Sequence, residues 1–265
     1  LDFTMFFHDT DRFRPDLGKY PTYLYDSNPF NDVEYVWNRD VIWNTVYPMT
    51  ENRIEGSSGG ITGFDDYSCW QKAFTFGIDT VCPDGISQVR QGEPVHITDR
   101  EKSTIKANIE QNVTSLALDN PDITFYCFFT PYSIAYWKNK VSAGTIYKQI
   151  EAEEYIIELL LQCENIQLFS FSNRLDITCD LNHYKDEYHY GQWVNSLIQK
   201  WMHDGQYRLT QENYKAYIAE ELSNYLSFDY QSINEQIDYE SDFYAAALLN
   251  RELTGTEPVN LLEEY

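Results

Sequence analysis

Ile123-Thr124-Phe125-Tyr126-Cys127-Phe128-Phe129, followed by Thr130-Pro131, is the stretch that decides the fold. A short run of aromatic and β-branched residues without polar alternation reads as a strand buried on both faces, and Pro131 marks where its carboxyl end opens into a loop. Upstream, Thr98 and Glu101 have capping-box spacing, and Ile105, Ile109, Val113 and Leu116 form one apolar stripe that ends before Asn120-Pro121. That pattern predicts a helix. Downstream, Ile146, Ile150, Ile157, Leu160 and Leu161 mark the inner side of a second helix, and Ile166-Gln167-Leu168-Phe169-Ser170-Phe171 is a second strand. Val194, Leu197, Ile198 and Trp201 predict a third helix closed near Gly205, and Thr210 caps a fourth that contains Tyr214, Ile218 and Leu222. The order α, β, α, β implies an α/β domain, a parallel sheet with flanking helices and right-handed crossovers.

At 265 residues and 43% hydrophobic, the chain can bury one sizeable core. Nineteen Lys and Arg stand against 42 Asp and Glu, a net charge of −23. That balance argues against nucleic acid and anionic membrane surfaces as partners, because both demand a basic footprint. Aromatics make up 16% of the chain, with 22 Tyr, many of them in irregular segments; a flat face with a polar tip suits folded loops and sugar-binding surfaces alike. Cys69, Cys82, Cys127, Cys163 and Cys179 are widely spaced without a C-x-x-C pair, which indicates neither a zinc site nor a dense disulfide framework. Cys127 reads as a small core residue. No metal and no cofactor is expected. No stretch reaches the roughly 18 consecutive apolar residues of a membrane span.

Residues 8 to 100 carry turn chemistry, as in Arg14-Pro15-Asp16, Ser27-Asn28-Pro29 and Gly56-Ser57-Ser58-Gly59-Gly60, between short apolar pieces such as Val41-Ile42-Trp43. They predict long Tyr-rich loops with short helices. Leu1-Asp2-Phe3-Thr4-Met5-Phe6-Phe7 reads like a strand entered from upstream, so the sheet is expected to be incomplete at its amino end. The α/β domain is accordingly placed at 1–226. Residues 227–265 read as an acidic extension with one short helix around Ala245 to Leu249.

In open parallel sheets functional groups gather beyond the carboxyl ends of the strands. Here those are Thr130 to Trp137 and the segment Asp176-Ile177-Thr178-Cys179-Asp180-Leu181-Asn182-His183-Tyr184-Lys185-Asp186-Glu187-Tyr188-His189-Tyr190. In Asp186-x-x-His189 the carboxylate can turn back to accept the imidazole N–H. That contact fixes the tautomer and stabilises the imidazolium formed when His189 takes a proton from a hydroxyl. An Asp just before a helix is also a good cap, so the spacing alone does not decide between catalysis and capping. Tyr132 and Ser133, at a strand end, are candidates to line the same cleft as substrate-binding residues. His183 is expected on the loop surface, and His8, His96 and His203 as ordinary surface residues.

A D-x-x-H block near the carboxy terminus, followed by a helix, resembles that of the SGNH (GDSL-like) hydrolases. The likeness narrows towards SGNH-like envelope proteins of Gram-positive bacteria, distantly similar to the protein of teichoic-acid D-alanylation. It is carried by Tyr20-Pro21-Thr22-Tyr23-Leu24-Tyr25-Asp26-Ser27-Asn28-Pro29-Phe30-Asn31-Asp32, Gly63-Phe64-Asp65-Asp66-Tyr67, Phe128-Phe129-Thr130-Pro131-Tyr132-Ser133 and Tyr184-Lys185-Asp186-Glu187-Tyr188-His189-Tyr190. It implies an SGNH/flavodoxin-like three-layer sandwich on the cell surface, anchored through a segment upstream of Leu1. It also implies a serine nucleophile in a strand-to-helix turn, with His189 as base, Asp186 as its orienting partner, and an ester of a carbohydrate or acylated envelope polymer as substrate. The chain departs from that pattern in showing no strand that runs into a G-x-S or G-D-S turn before residue 56, so the nucleophile is expected upstream of Leu1. Ser57 and Ser58 make poor substitutes, since Glu51-Asn52-Arg53-Ile54-Glu55 is not a buried strand. Two rival readings stand beside the hydrolase: a non-catalytic glycan- or protein-binding module in which Asp186 is only a cap, and a structural domain that completes its sheet with another polypeptide.

Overall fold

A computed structural model describes residues 74–240 without a break, together with Phe7 and a scattering of residues between 24 and 47. The chain divides into two compact units, Leu1–Thr10 with Ser68–Tyr265, and Asp11–Tyr67. His8, Ser57, Ser58, Cys69 and the expected helix at Ala245 to Leu249 lie outside the described residues. In the smaller unit Trp37 N–H donates to Val33 O and Ile42 N–H to Asn38 O, both at 2.9 Å, the spacing of helical turns.

The larger unit runs α1 (Ile78–Val81), α2 (Asp99–Ile109), a π-helical turn (Glu110–Thr114), α3 (Ser115–Asp119), β1 (Phe125–Phe129), α4 (Ile134–Ser142), α5 (Ile146–Leu160), β2 (Ile166–Ser170), α6 (Leu175–Thr178), α7 (Gln192–His203), β3 (Arg208–Leu209) and α8 (Tyr214–Ser227). This is an α/β fold around a three-stranded sheet of order β1-β2-β3. β1 and β2 are parallel, with Phe125 opposite Ile166 and Phe129 opposite Ser170. β3 is antiparallel to β2, Leu168 facing Leu209. The sheet is therefore mixed, which corrects the wholly parallel sheet expected from the sequence. Arg208-Leu209 is too short to carry a periodic signal, and it is reached through a tight turn with Gly205 at φ 70° and Tyr207 at φ 59°.

Alternation along the two long strands gives the sheet an apolar cluster on each face. Phe129, Ile166 and Leu168 join Ile105, Ile109, Ile150, Ile157 and Ile218 in the larger cluster. Phe169 and Phe171 pack on the other side against Trp193, Val194, Leu197, Ile198 and Trp201 of α7. The four residues that predicted α7 thus form its buried stripe.

The α2 start is as expected: Thr98 Oγ accepts from Glu101 N at 3.3 Å, and Thr98 N donates to the Glu101 carboxylate at 2.9 Å. Its stripe then departs from the sequence pattern. Leu116 is half exposed, while Thr114 and Ala117 are buried. The π-helical turn spends one extra residue, so the inward positions step from Ile109 to Thr114 and Ala117 and lose the 3.6-residue phase. Ile123 lies outside β1 and is half exposed. α4 occupies ground read as loop; it buries Ile134, Ala135, Tyr136 and Trp137 consecutively, a pattern without helical periodicity. Cys82, Cys127, Cys163 and Cys179 are free thiols. Among the described residues no helix is long and apolar enough to cross a membrane.

The described part of the acidic carboxy-terminal segment is stitched to the body by side chains that pair with backbone. Asn234 accepts from Ile86 N at 2.7 Å and donates to Ile86 O at 2.8 Å. Gln236 accepts from Leu181 N at 2.9 Å and donates to Cys179 O at 2.6 Å. The Asp238 carboxylate takes the N–H groups of Ile78 and Asp79 at the start of α1. The two Gln236 bonds hold the segment that leads into the D-x-x-H loop.

Candidate active site

The loop after β2 passes through α6 and a 3₁₀ turn at Leu181–His183, then doubles back as a small hairpin. Tyr184 and Tyr190 form an antiparallel bridge, Lys185 N donates to His189 O at 3.0 Å, and Gly191 N donates to His183 O at 2.8 Å. Asp186, Glu187 and Tyr188 form the tip. Asp186 bends the tip with its own carboxylate: Oδ1 accepts from Tyr188 N at 2.9 Å and from His189 N at 2.8 Å. The same group meets the imidazole, with His189 Nδ1 at 2.8 Å from Oδ2 and 2.9 Å from Oδ1.

Asp186 therefore caps its own turn and not the helix that follows. The residue preceding α7 is Gly191, with no side-chain cap. Partial burial works to raise the Asp186 pKa, but the N–H groups of Tyr188 and His189 and the imidazole outweigh it and hold the carboxyl below its ordinary value. Lys185 Nζ adds an ion pair at 3.4 Å. A carboxylate kept ionised against Nδ1 sets His189 in the tautomer that leaves Nε2 as the proton acceptor. The His189 side chain is 54% exposed and that of Asp186 39%, so the pair sits at the surface.

The other two site candidates come to the same place. Tyr132 and Ser133 follow β1 directly, and Tyr184 OH donates to Pro131 O at 2.9 Å, which anchors the hairpin at the carboxyl end of that strand. The Tyr132 ring meets Tyr188 edge-on at 5.7 Å. Tyr132 is 4% exposed and Ser133 fully buried, however, and the Ser133 hydroxyl donates to Glu187 O at 3.0 Å. Neither offers surface to a substrate in this arrangement. Among the described residues Tyr188 presents an exposed ring beside His189, and the exposed ring of Phe74 lies under Lys185 Nζ at 4.2 Å. His183, expected on the surface, is wholly buried, its Nδ1 accepting the Trp193 indole N–H at 3.0 Å. His96 stays at the surface, 2.5 Å from Glu151, as does His203 beside Asp204 at 3.1 Å. Among the described residues no three His, Cys, Asp or Glu side chains converge as a metal site requires.

One cluster escaped the sequence reading. Glu153 on α5 and Glu221 on α8 are both fully buried beneath the carboxyl end of β2. Ser170 Oγ donates to Glu153 at 3.4 Å, and Tyr217 OH donates to Ser170 Oγ at 2.9 Å. Burial pushes both carboxyls up; Glu221 reaches about 8, and Glu153 is raised further by the neighbouring Glu221. The signal was present. Glu153 lies between Ile150 and Ile157 and Glu221 between Ile218 and Tyr225, each at an inward-facing position.

Compared with family models, with curated proteins and with solved structures, the chain matches none.

Proposed function

We propose that the protein belongs to an SGNH-type serine hydrolase or acyltransferase acting on esters of carbohydrate or cell-envelope polymers at the cell surface, with Asp186 and His189 as its acid–base pair. The observation that carries this is the contact of the ionised Asp186 carboxylate with His189 Nδ1 at 2.8 Å, on an exposed hairpin anchored to the carboxyl end of a parallel strand. On this reading the sheet with helices on both faces is part of a three-layer sandwich, and the serine comes from outside the described residues. His189 Nε2 takes the serine proton as Oγ attacks the ester carbonyl. Asp186 stabilises the imidazolium, which returns the proton to the departing alcohol. Water, or a second hydroxyl, then repeats the sequence on the acyl-enzyme, giving the free acid or the transferred ester.

The exposed ring of Tyr188 beside His189 and that of Phe74 beneath Lys185 favour a second reading, a glycan- or protein-binding surface without chemistry. One assay separates the two. The product of the whole native gene should hydrolyse p-nitrophenyl acetate and lose that activity in His189→Ala. A wild-type protein with no activity above the variant refutes the hydrolase and leaves the binding surface.

A further inference from the structure

The tip of the hairpin is held by the other strand's exit. The peptide plane joining Glu187 to Tyr188 is bonded on both edges. Its N–H donates to Asp186 Oδ1 at 2.9 Å. Its carbonyl oxygen accepts twice from one residue, from Ser133 N at 3.1 Å and from Ser133 Oγ at 3.0 Å. A peptide unit is rigid, so fixing its oxygen fixes the direction of its N–H. Two donors on the carbonyl also polarise the unit and make that N–H a stronger donor to the carboxylate.

Ser133 is well placed for this. It is the residue that precedes α4, yet its hydroxyl makes no capping bond to that helix and is spent entirely across the chain. Its neighbours reinforce the grip: Asn139 Nδ2 donates to the Glu187 carboxylate at 2.7 Å, and the rings of Tyr132 and Tyr136 flank Tyr188 at 5.7 and 5.6 Å. Within the hairpin itself, Asp186 makes only local bonds, to Tyr188, His189 and Lys185.

We infer that Ser133 is a positioning residue for the Asp186–His189 pair: through the Glu187–Tyr188 peptide it orients the carboxylate that fixes the imidazole tautomer. The inference rests on the hydrolase reading for its purpose, but its geometry is testable without turnover. Ring nitrogen-15 shifts of His189 report which nitrogen bears the proton. In the wild-type chain the neutral ring should carry it on Nδ1. In Ser133→Ala, where the backbone bond from residue 133 survives and the hydroxyl bond is lost, the two ring nitrogens should move towards averaged shifts. Ser133→Thr, which restores the hydroxyl, should recover the wild-type pattern. Should Ser133→Ala fail to fold, the exposed Asn139→Ala gives the same readout with a smaller displacement. A folded Ser133→Ala with unchanged His189 shifts overturns the inference, as does an unchanged Asn139→Ala when Ser133→Ala cannot be measured, or a wild-type ring that already averages. Loss of the fixed tautomer in a protein without esterase activity sinks the hydrolase and leaves the positioning intact.

Discussion

Replacing Glu221 by Gln should remove the share of the fold's alkaline sensitivity that Glu221 carries. Glu221 and Glu153 are wholly buried against each other on α8 and α5, with Ser170 and Ser172 on the β2 side and Tyr217 and Tyr225 on α8 as their polar surroundings. In the unfolded chain Glu221 ionises at its ordinary value of 4.5, whereas in the folded protein it keeps its proton up to about 8. Between those values the folded state binds the extra proton, so the stability it confers is complete below pH 4.5 and drains away as pH rises towards 8. At about 1.4 kcal/mol for each tenfold change, the ceiling on that loss is about 5 kcal/mol, comparable with the whole stability of many domains. Glu221→Gln keeps the side-chain volume but has no proton to lose. Urea unfolding followed by tryptophan fluorescence at pH 5 to 9 should show the wild type losing stability steadily up to about pH 8. The variant, in which the buried Glu153 carboxyl still titrates, should lose stability less steeply and become the more stable of the two at the alkaline end. Parallel curves for wild type and variant across that range would refute the claim that the pair is held protonated.

Three other perturbations follow from single contacts. Tyr225→Phe removes the hydroxyl that donates to Ser172 O at 2.5 Å and meets Thr178 Oγ1 at 3.1 Å, leaving a buried carbonyl without that donor; thermal melting should show a loss of about 1–3 kcal/mol, while the ring stack on Trp137 at 4.2 Å keeps the fluorescence native-like. Gly77 has φ 104°, and an added Cβ would run into the Asp238 carboxylate; Gly77→Ala should cost about 1–3 kcal/mol and speed proteolytic cleavage between residues 229 and 240. Asp186→Asn should keep the turn bonds through its amide oxygen yet lower esterase activity of the whole gene product by roughly 10⁴-fold, the scale of losing the orienting carboxylate of such a pair, with KM little changed.

The long elements were legible because their burial is periodic: the stripe Val194, Leu197, Ile198 and Trp201 announced α7, and Thr98 with Glu101 announced the start of α2. What escaped the sequence failed for stated physical reasons. A π-helical turn shifted the phase after Ile109, so Leu116 was assigned inward and Ala117 overlooked. α4 buries its whole first turn and has no stripe to find, and two-residue β3 has no period at all. The site divides along the same line. Asp186 and His189 were readable because their contact is local, three residues apart within one turn. What aims them is not local: Ser133 lies 54 residues from Glu187 in the chain and donates to it across the mouth of the sheet. A spacing such as D-x-x-H therefore nominates a pair, whereas its orientation depends on parallel β1 and β2 bringing two strand exits side by side. Ser133, which the sequence offered only as a lining residue, is where that dependence becomes a single bond.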